Sequence, residues 1–239
     1  MPTLRTSDNA NIYYEEYGTG FPLVLFAPGG MRSAIDFWHT SEWDPIKSLS
    51  PYYRVIAMDQ RNAGRSTAPV HGSHGWHTYT SDHIALLDHL DIEKTHILGG
   101  CIGGPYCMGL LAEAPERISS AILQQSIGVD KNKALFYDMF DSWSNSIKKS
   151  HPEATNDDWS AFRSNMFDGK FLYNVDEAFV RELAKPLLVL MGNDPYHPEA
   201  ISRAIAQLAT NATLIESWKD PSHDDTITQV QEFLMRHTP

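Results

Sequence analysis

Residues 95–104 of the 239-residue chain read THILGGCIGG, an apolar run that ends in a cysteine enclosed by glycines. The run predicts a buried strand and the residues from Pro105 onward predict a helix, so Cys101 lies where a strand turns sharply into a helix. Glycines clear side chains from such a turn, and the positive end of the helix dipole favours a thiolate. The spacing Gly99-x-Cys101-x-Gly103 predicts a nucleophile, although by itself it also fits a buried structural cysteine.

Apolar runs alternate with segments of helical periodicity along most of the chain. Short continuous apolar strands are typical of a sheet that helices cover on both faces. We therefore predict an α/β fold with a mostly parallel sheet. A helix is predicted over residues 81–91, with Ser81 as its N-cap. The other predicted strands are residues 11–18, 22–27, 53–59, 118–126, 185–194 and 212–218.

The stretch 129–182 interrupts this alternation. It shows no convincing strand but is rich in aromatic residues, among them Phe136, Phe140 and Trp143. An insertion of this length at one sheet position favours a small lid of amphipathic helices over ordinary packing helices. The predicted organisation is a core of residues 1–128 and 183–239 with a helical lid at 129–182.

A thiol nucleophile needs a base, and the base needs a group that orients it. Asp194 ends a predicted strand, which places it at the carboxyl edge of the sheet, where open α/β sheets build their sites. His223 follows the last predicted strand, and this position selects it as the base. The competing histidines are His71, His74, His77 and His197.

With these residues the chain resembles the α/β-hydrolase superfamily, in the lidded branch that carries D-x-R-x-x-G-x-S; here residues 59–66 read DQRNAGRS. Dienelactone hydrolases of that superfamily use a Cys, Asp, His triad on a similar elbow. The resemblance implies an eight-stranded sheet and a triad of Cys101, Asp194 and His223. It assigns scaffold roles to the residues of the DQRNAGRS segment, among them Arg61.

The resemblance also implies an oxyanion loop after the strand over residues 22–27. The superfamily usually has H-G-x there, and this chain has Pro28-Gly29-Gly30-Met31. Gly30 is the expected second donor of a backbone N–H, with Met31 as the fallback, and the first donor is Ile102 at the elbow. Met31 and Arg32 are candidate substrate-binding residues, since Arg32 could bind a carboxylate.

The residues together predict a cysteine hydrolase that cleaves an ester, lactone or thioester through a covalent thioester. The same triad would also serve acyl transfer, or cleavage of a C–C or amide bond. A ligand-binding protein without catalysis, in which sulfur merely fills the elbow, is the third alternative. The aromatic lid predicts a small, largely apolar or aromatic substrate.

The charge and hydropathy of the chain argue against two classes of binding partner, nucleic acids and membranes. The net charge is -11 with no basic run beyond two lysines, which argues against a nucleic-acid partner. No apolar segment approaches the length of a membrane span, and the N-terminus lacks the pattern of a signal peptide. Cys107, inside the predicted helix, is expected to be a small buried hydrophobe. Both cysteines are expected to be free thiols, and we expect a cytoplasmic location.

No cofactor or metal is predicted. The spacing His71-x-x-His74-x-x-His77 could suggest metal binding, but the intervening glycines break any helix or strand that would bring the rings together. The oligomeric state stays open at this stage.

Overall fold

The structure is a computed structural model that describes residues 2–219 and 223–239. Within these residues eight strands form one sheet in the spatial order β1-β2-β4-β3-β5-β6-β7-β8. β1 and β2 are antiparallel, as are β2 and β4, and the other neighbours are parallel. The strands are β1 (Thr3–Arg5), β2 (Asn11–Tyr17), β3 (Pro22–Phe26), β4 (Arg54–Met58), β5 (Thr95–Gly100), β6 (Ile118–Gln124), β7 (Leu187–Leu190) and β8 (Ala212–Ile215).

Helices connect the strands and cover both faces of the sheet. The helices of the described chain are α1 (Asp36–Thr40), α2 (Pro45–Leu49), α3 (Trp76–His89), α4 (Gly103–Glu113), α5 (Lys133–Ile147), α6 (Asn156–Phe167), α7 (Glu177–Glu182), α8 (Glu199–Leu208) and α9 (His223–His237). Short 3₁₀ turns occupy Gly30–Arg32, Pro115–Arg117 and Lys148–Ser150. In the part of the chain that the structure describes, no helix has both the length and the apolarity needed to span a membrane.

The central strands are buried on both faces. In β3, Val24 and Phe26 pack into one hydrophobic cluster, and Leu23 and Leu25 pack into the other. This division follows from the two-residue repeat of a strand, which turns successive side chains to opposite faces. The prediction of an α/β fold with a mostly parallel eight-stranded sheet and helices on both faces is confirmed.

One predicted helix start is wrong. α3 begins at Trp76, five residues before the predicted N-cap Ser81. The Oγ of Ser81 donates to the carbonyl of His77, one turn earlier, as serines inside helices do. Gly75 takes the N-cap position, and its N–H donates to Oγ1 of Thr78.

The carboxyl ends of β5, β6 and β7 meet at one edge of the sheet, where Gly100 pairs with Gln124 and Gln124 pairs with Leu190. The residues that follow these strands therefore lie side by side. Cys101 follows β5, and Asp194 lies in the loop after β7.

The segment between β6 and β7 contains α5, α6 and α7. Its aromatic side chains pack edge-to-face in a cluster, with the ring of Phe140 5.3 Å from those of Trp143 and Phe162. Such geometry is favoured between aromatic rings because their negative faces attract positive edges. Amphipathic α5 faces this cluster and also contacts the 3₁₀ turn at Gly30–Arg32.

Candidate active site

Cys101 occupies the turn between β5 and α4 in a left-handed backbone conformation, with φ of +57°. This region is unfavourable for a residue with a side chain, and such strain is commonly found at functional sites. The N–H of Cys101 donates to the carbonyl of Gln124, 3.0 Å away, which ties the turn to β6. The thiol is half-buried at the carboxyl edge of the sheet.

The glycines around Cys101 are required by close backbone approach. A Cβ on Gly99 would lie 2.0 Å from the carbonyl oxygen of Gly103, and a Cβ on Gly103 would lie 2.4 Å from that of Phe26. Only a residue without a side chain fits at either position. The G-x-C-x-G spacing is therefore explained by the packing of α4 against the sheet.

Three polar neighbours surround the sulfur. Burial raises the pKa of the Cys101 thiol, but the imidazole of His197 and the backbone N–H groups of Ile102 and Gly29 outweigh it, and the pKa lies below its usual value. Each of these groups stabilises negative charge on sulfur. Cys107 differs, since burial raises the pKa of its thiol well above the usual range.

The structure places His197, rather than the predicted His223, where its imidazole lowers the pKa of the Cys101 thiol. Nδ1 of His197 lies 2.7 Å from Oδ2 of Asp194. Nε2 of His197 is buried and has no hydrogen-bond partner within the described chain. The Cys101 thiol and Asp194 both raise the pKa of His197, so the imidazole lies within the influence of both groups.

His223 lies elsewhere. It begins α9, and its ring centroid is 6.3 Å from that of Trp218. Among the described residues it makes no hydrogen bond with Cys101 or Asp194. The turn after β7 supplies a second histidine, His197, and it is this ring that bonds Asp194.

That turn is built by Asp194 itself. Oδ1 of Asp194 accepts the N–H groups of Tyr196 and His197, 2.9 and 3.1 Å away, and the carbonyl of Asp194 also accepts the N–H of His197. An aspartate that bonds the backbone two residues ahead forms an Asx turn. The turn brings the imidazole back over the carboxylate. The signal in the sequence was the short spacing Asp194-Pro195-Tyr196-His197, which a second proline, Pro198, follows.

His197, Asp194 and Cys101 shift one another's pKa values. Burial alone would lower the pKa of His197, but Cys101 and Asp194 raise it to about 9. Burial likewise raises the pKa of Asp194, and its hydrogen bond and charge interaction with His197 bring the net pKa below the usual value. Each of the three groups therefore favours the charged form of its neighbour more than an isolated side chain would.

In the predicted oxyanion loop a glycine next to the predicted donor Gly30 acts on the thiol. The backbone N–H groups of Ile102 and Gly29 both lower the pKa of Cys101. Gly29 has φ of +116° and Gly30 of +58°, which suits two glycines. The N–H of Met31 donates to Sδ of Met139, 3.4 Å away, so α5 covers this donor.

The two candidate substrate-binding residues both contact α5. Met31 is buried in the core beneath that helix. Nη2 of Arg32 donates to the carbonyl and to Oγ of Ser142, 3.0 and 3.3 Å away. Arg32 therefore ties the segment between β6 and β7 to the oxyanion loop rather than standing free to bind a carboxylate.

The DQRNAGRS segment forms a buried polar network outside this site. Arg61 makes two hydrogen bonds to Asp82, of 2.7 and 2.6 Å, and a third to Asp8. Ser66 links the carbonyl of Asp59 to the N–H of Tyr13. A paired arginine–carboxylate fork satisfies charges that burial would otherwise destabilise.

No group of three metal-ligating side chains occurs among residues 2–219 and 223–239. The rings of His71 and His74 lie edge-to-face, 5.2 Å apart. Burial lowers the pKa of His74 to about 4, so it is neutral at physiological pH. The histidine spacing in this region is therefore accounted for by packing.

Comparison with known proteins agrees with this fold. A profile of the alpha/beta hydrolase fold matches residues 22–162. A non-heme chloroperoxidase of Streptomyces lividans is 38% identical over 132 residues, which are 53% of this chain and 45% of that relative. The matched part of this chain thus spans less than half of that relative's length.

Solved structures match over nearly the whole chain. A meta-cleavage product hydrolase from Pseudomonas fluorescens IP01 has a TM-score of 0.74 at 19% identity and covers 100% of this chain and 98% of its own. An enol-lactonase from Burkholderia xenovorans LB400 has a TM-score of 0.73 at 18% identity and covers 98% and 100%. At these identities the likeness concerns the fold. The sheet order, the strained elbow and the match over residues 22–162 establish that this chain belongs to the α/β-hydrolase fold family.

Proposed function

We propose that this protein is a cysteine hydrolase that cleaves an ester, lactone or thioester through a thioester intermediate on Cys101. The observation that carries the proposal is the setting of His197, whose Nδ1 lies 2.7 Å from Asp194 and whose pKa is raised by both Cys101 and Asp194. A nucleophile, a base and an orienting carboxylate in this order are the minimum for covalent acyl chemistry. The triad is Cys101, His197 and Asp194.

In the first half-reaction, Sγ of Cys101 forms a bond to the carbonyl carbon, and the carbonyl oxygen becomes an oxyanion. The N–H groups of Gly29 and Ile102 stabilise that charge, because they already point at the sulfur. Removing a single oxyanion donor typically slows an enzyme by about 10² to 10³ fold. The carbon–heteroatom bond then breaks, and imidazolium His197 protonates the leaving alcohol or thiol.

In the second half-reaction, His197 accepts a proton from water, and the resulting hydroxide attacks the thioester carbonyl. The C–S bond breaks, the carboxylic acid leaves, and the sulfur returns as a thiolate. Asp194 stabilises the imidazolium in both halves and, through its bond to Nδ1 of His197, fixes the orientation of the ring.

The segment 129–182 is proposed to act as a lid over this site. Its helix α5 contacts the oxyanion loop through Met139 and Ser142. The ring of Phe136 on the same helix lies 5.7 Å from Tyr196, inside the turn that carries His197. This wall of apolar and aromatic side chains supports a small, largely apolar or aromatic substrate.

The test is detection of an acyl adduct by intact-mass measurement after the protein is mixed with a panel of activated esters and thioesters. We expect one acyl group on the wild type, located at Cys101 by peptide mapping, and none on Cys101→Ala. Cys107→Ala is the matched control and keeps the adduct, because its thiol is buried and its pKa is raised. Full hydrolysis by Cys101→Ala would overturn the proposal. Ligand binding without adduct or hydrolysis would favour a non-catalytic protein.

A further inference from the structure

Gln125 is held between the nucleophile and the loop of the acid by three backbone hydrogen bonds. Cys101 donates its N–H to Gln124, and Ile127 donates its N–H to the carbonyl of Cys101, 3.2 Å away. Only Gln125 and Ser126 lie between Gln124 and Ile127, the two residues that bond the backbone of Cys101, so the backbone of Gln125 is fixed beside Cys101. Its own N–H donates to the carbonyl of Leu190, 2.7 Å away, at the end of β7.

The backbone of Gln125 is strained. Its φ is +42°, in the region that glycine adopts readily and residues with side chains do not. A strand can end without such a residue, so the surrounding bonds must hold this conformation. Cys101 shows the same feature on the neighbouring strand, and the two strained residues are connected through Gln124.

The side chain of Gln125 carries an unused acceptor. Its amide oxygen is buried and has no hydrogen-bond partner in the part of the chain that is described. The neighbouring Ser126 differs, because its Oγ donates to the carbonyl of Ile127. A buried acceptor without a donor is unfavourable, and a ligand that supplies an O–H or N–H relieves this cost.

Resting on the proposed function, we infer that Gln125 is a specificity-determining residue whose amide oxygen accepts a hydrogen bond from a hydroxyl or N–H on the acyl group of the substrate. The acyl group remains on Sγ through both half-reactions, and Gln125 is tied to the backbone of Cys101 on both sides. The backbone that carries the acceptor therefore keeps one position relative to Cys101 throughout. The substrate class is a hydroxyacyl or aminoacyl ester or thioester.

A site built to pair a substrate hydroxyl discriminates against the analogue that lacks it, because the acceptor is then left unpaired. The test compares phenyl thioesters of butanoic, 2-hydroxybutanoic and 3-hydroxybutanoic acids. The measured quantity is kcat/KM for each hydroxyacyl substrate divided by kcat/KM for the butanoyl substrate. The three thioesters differ in intrinsic reactivity, but this difference is the same for wild type and variant. A change in the ratio between the two proteins therefore reports on recognition alone.

We expect the ratio for at least one hydroxyacyl substrate to fall about tenfold or more in Gln125→Met, which has nearly the same shape but cannot accept the bond. Gln125→Glu retains an acceptor and is expected to retain most of the ratio. Ser126→Ala is the matched control, because Oγ of Ser126 already donates to the carbonyl of Ile127, and its ratio stays that of the wild type. Methionine and glutamine meet the same backbone strain at this position, so Gln125→Met does not add strain.

A second variant, Gln125→Gly, distinguishes a loss of hydroxyl recognition from a loss of stability. It relieves the positive φ, so we expect a higher Tm than wild type together with a lost ratio. An unchanged ratio in both Gln125→Met and Gln125→Gly overturns the inference, as does a wild type without preference for either hydroxyacyl substrate. If the butanoyl substrate acylates Cys101 while the ratios do not move, the inference fails and the proposed function stands. If no substrate acylates Cys101, the proposed function fails and the inference fails with it.

Discussion

Two aspartates follow parallel strands at the same edge of the sheet and serve different ends. Asp59, directly after β4, is fully buried and accepts the N–H of Ile35 and the N–H and Nε of Arg65 at 2.7 to 2.8 Å. Asp194, after β7, keeps a side chain 39% exposed and holds His197. The groups that bond Asp59 belong to the scaffold of the fold. The partner of Asp194 reaches a thiol.

The comparison shows that two carboxylates at similar positions in this fold can have different roles. Both carboxylates are satisfied by backbone N–H groups and one side chain, so hydrogen bonding alone does not distinguish them. What distinguishes Asp194 is that its partner carries a second titratable contact, which raises the pKa of His197 to about 9. A perturbed pKa beside a strained nucleophile is typical of a functional site.

The largest effect is expected from the histidines. His197→Ala removes the base and the positive charge beside Cys101, so kcat/KM on an activated thioester should fall about 10³ fold or more. His223→Ala is the matched control and should stay within a few fold of wild type. Steady-state kinetics of both variants provide the check. A larger loss of kcat/KM in His223→Ala than in His197→Ala would instead identify His223 as the base and contradict the proposed role of His197.

The aspartates themselves give the next effect. Asp194→Asn should lower kcat by about 10² to 10⁴ fold with little change in stability, because the amide cannot stabilise the imidazolium. Asp59→Asn should instead lower the free energy of unfolding by about 3 kcal/mol, because Arg65 loses its buried partner. Urea unfolding and kcat, measured on both variants, separate the roles. Equal loss of stability in the two variants would contradict the comparison.

The pH dependence of thiol modification tests the charge pairing. Because the pKa of Cys101 is lowered, its iodoacetamide reaction should reach half-maximal rate below pH ~8.5, the value for a free cysteine. In His197→Ala the thiol loses its cation while burial remains, so the midpoint should rise. Turnover of the wild type should decline above about pH 9 as His197 loses its proton. An unshifted alkylation midpoint in His197→Ala would show that the pair is not coupled.

The smallest effect concerns the contact between the oxyanion loop and α5. Arg32→Ala removes the bonds to Ser142, and the helix should cover the site less firmly. We expect a change in kcat/KM of only about two- to fivefold, since an exposed hydrogen bond contributes about 1 kcal/mol. Faster alkylation of Cys101 by a bulky maleimide would accompany it. A loss as large as that of His197→Ala would make Arg32 part of the chemistry instead.

Local features of the site were predictable from the sequence. The strand, the elbow and the helix around Cys101 depend on residues that are neighbours in the chain, and β5 has the predicted bounds Thr95–Gly100. The glycine spacing is dictated by backbone contacts within that same short unit and with β3. Asp194 was recognised because it follows a strand whose apolar run is unmistakable.

The choice of histidine was not predictable in this way. His197 and His223 both follow strands that end at the edge of the sheet where Cys101 lies, and position in the chain favoured His223. The decision depends on the Asx turn at Asp194, which folds residues 194–197 back toward the elbow. The orientation of the N–H groups in the predicted oxyanion loop could equally not be predicted, since the φ values of Gly29 and Gly30 follow from the surroundings of the loop.

The amino-acid sequence by itself determined the layered sheet, the cysteine elbow and the carboxylate after β7, because each is encoded by residues close together in the chain. Only the tertiary structure decided which imidazole meets the sulfur, which backbone N–H faces it and that Gln125 stands beside it. Those contacts join residues from four strand ends, and the distance between such residues is set by how the strands pack rather than by their spacing in sequence.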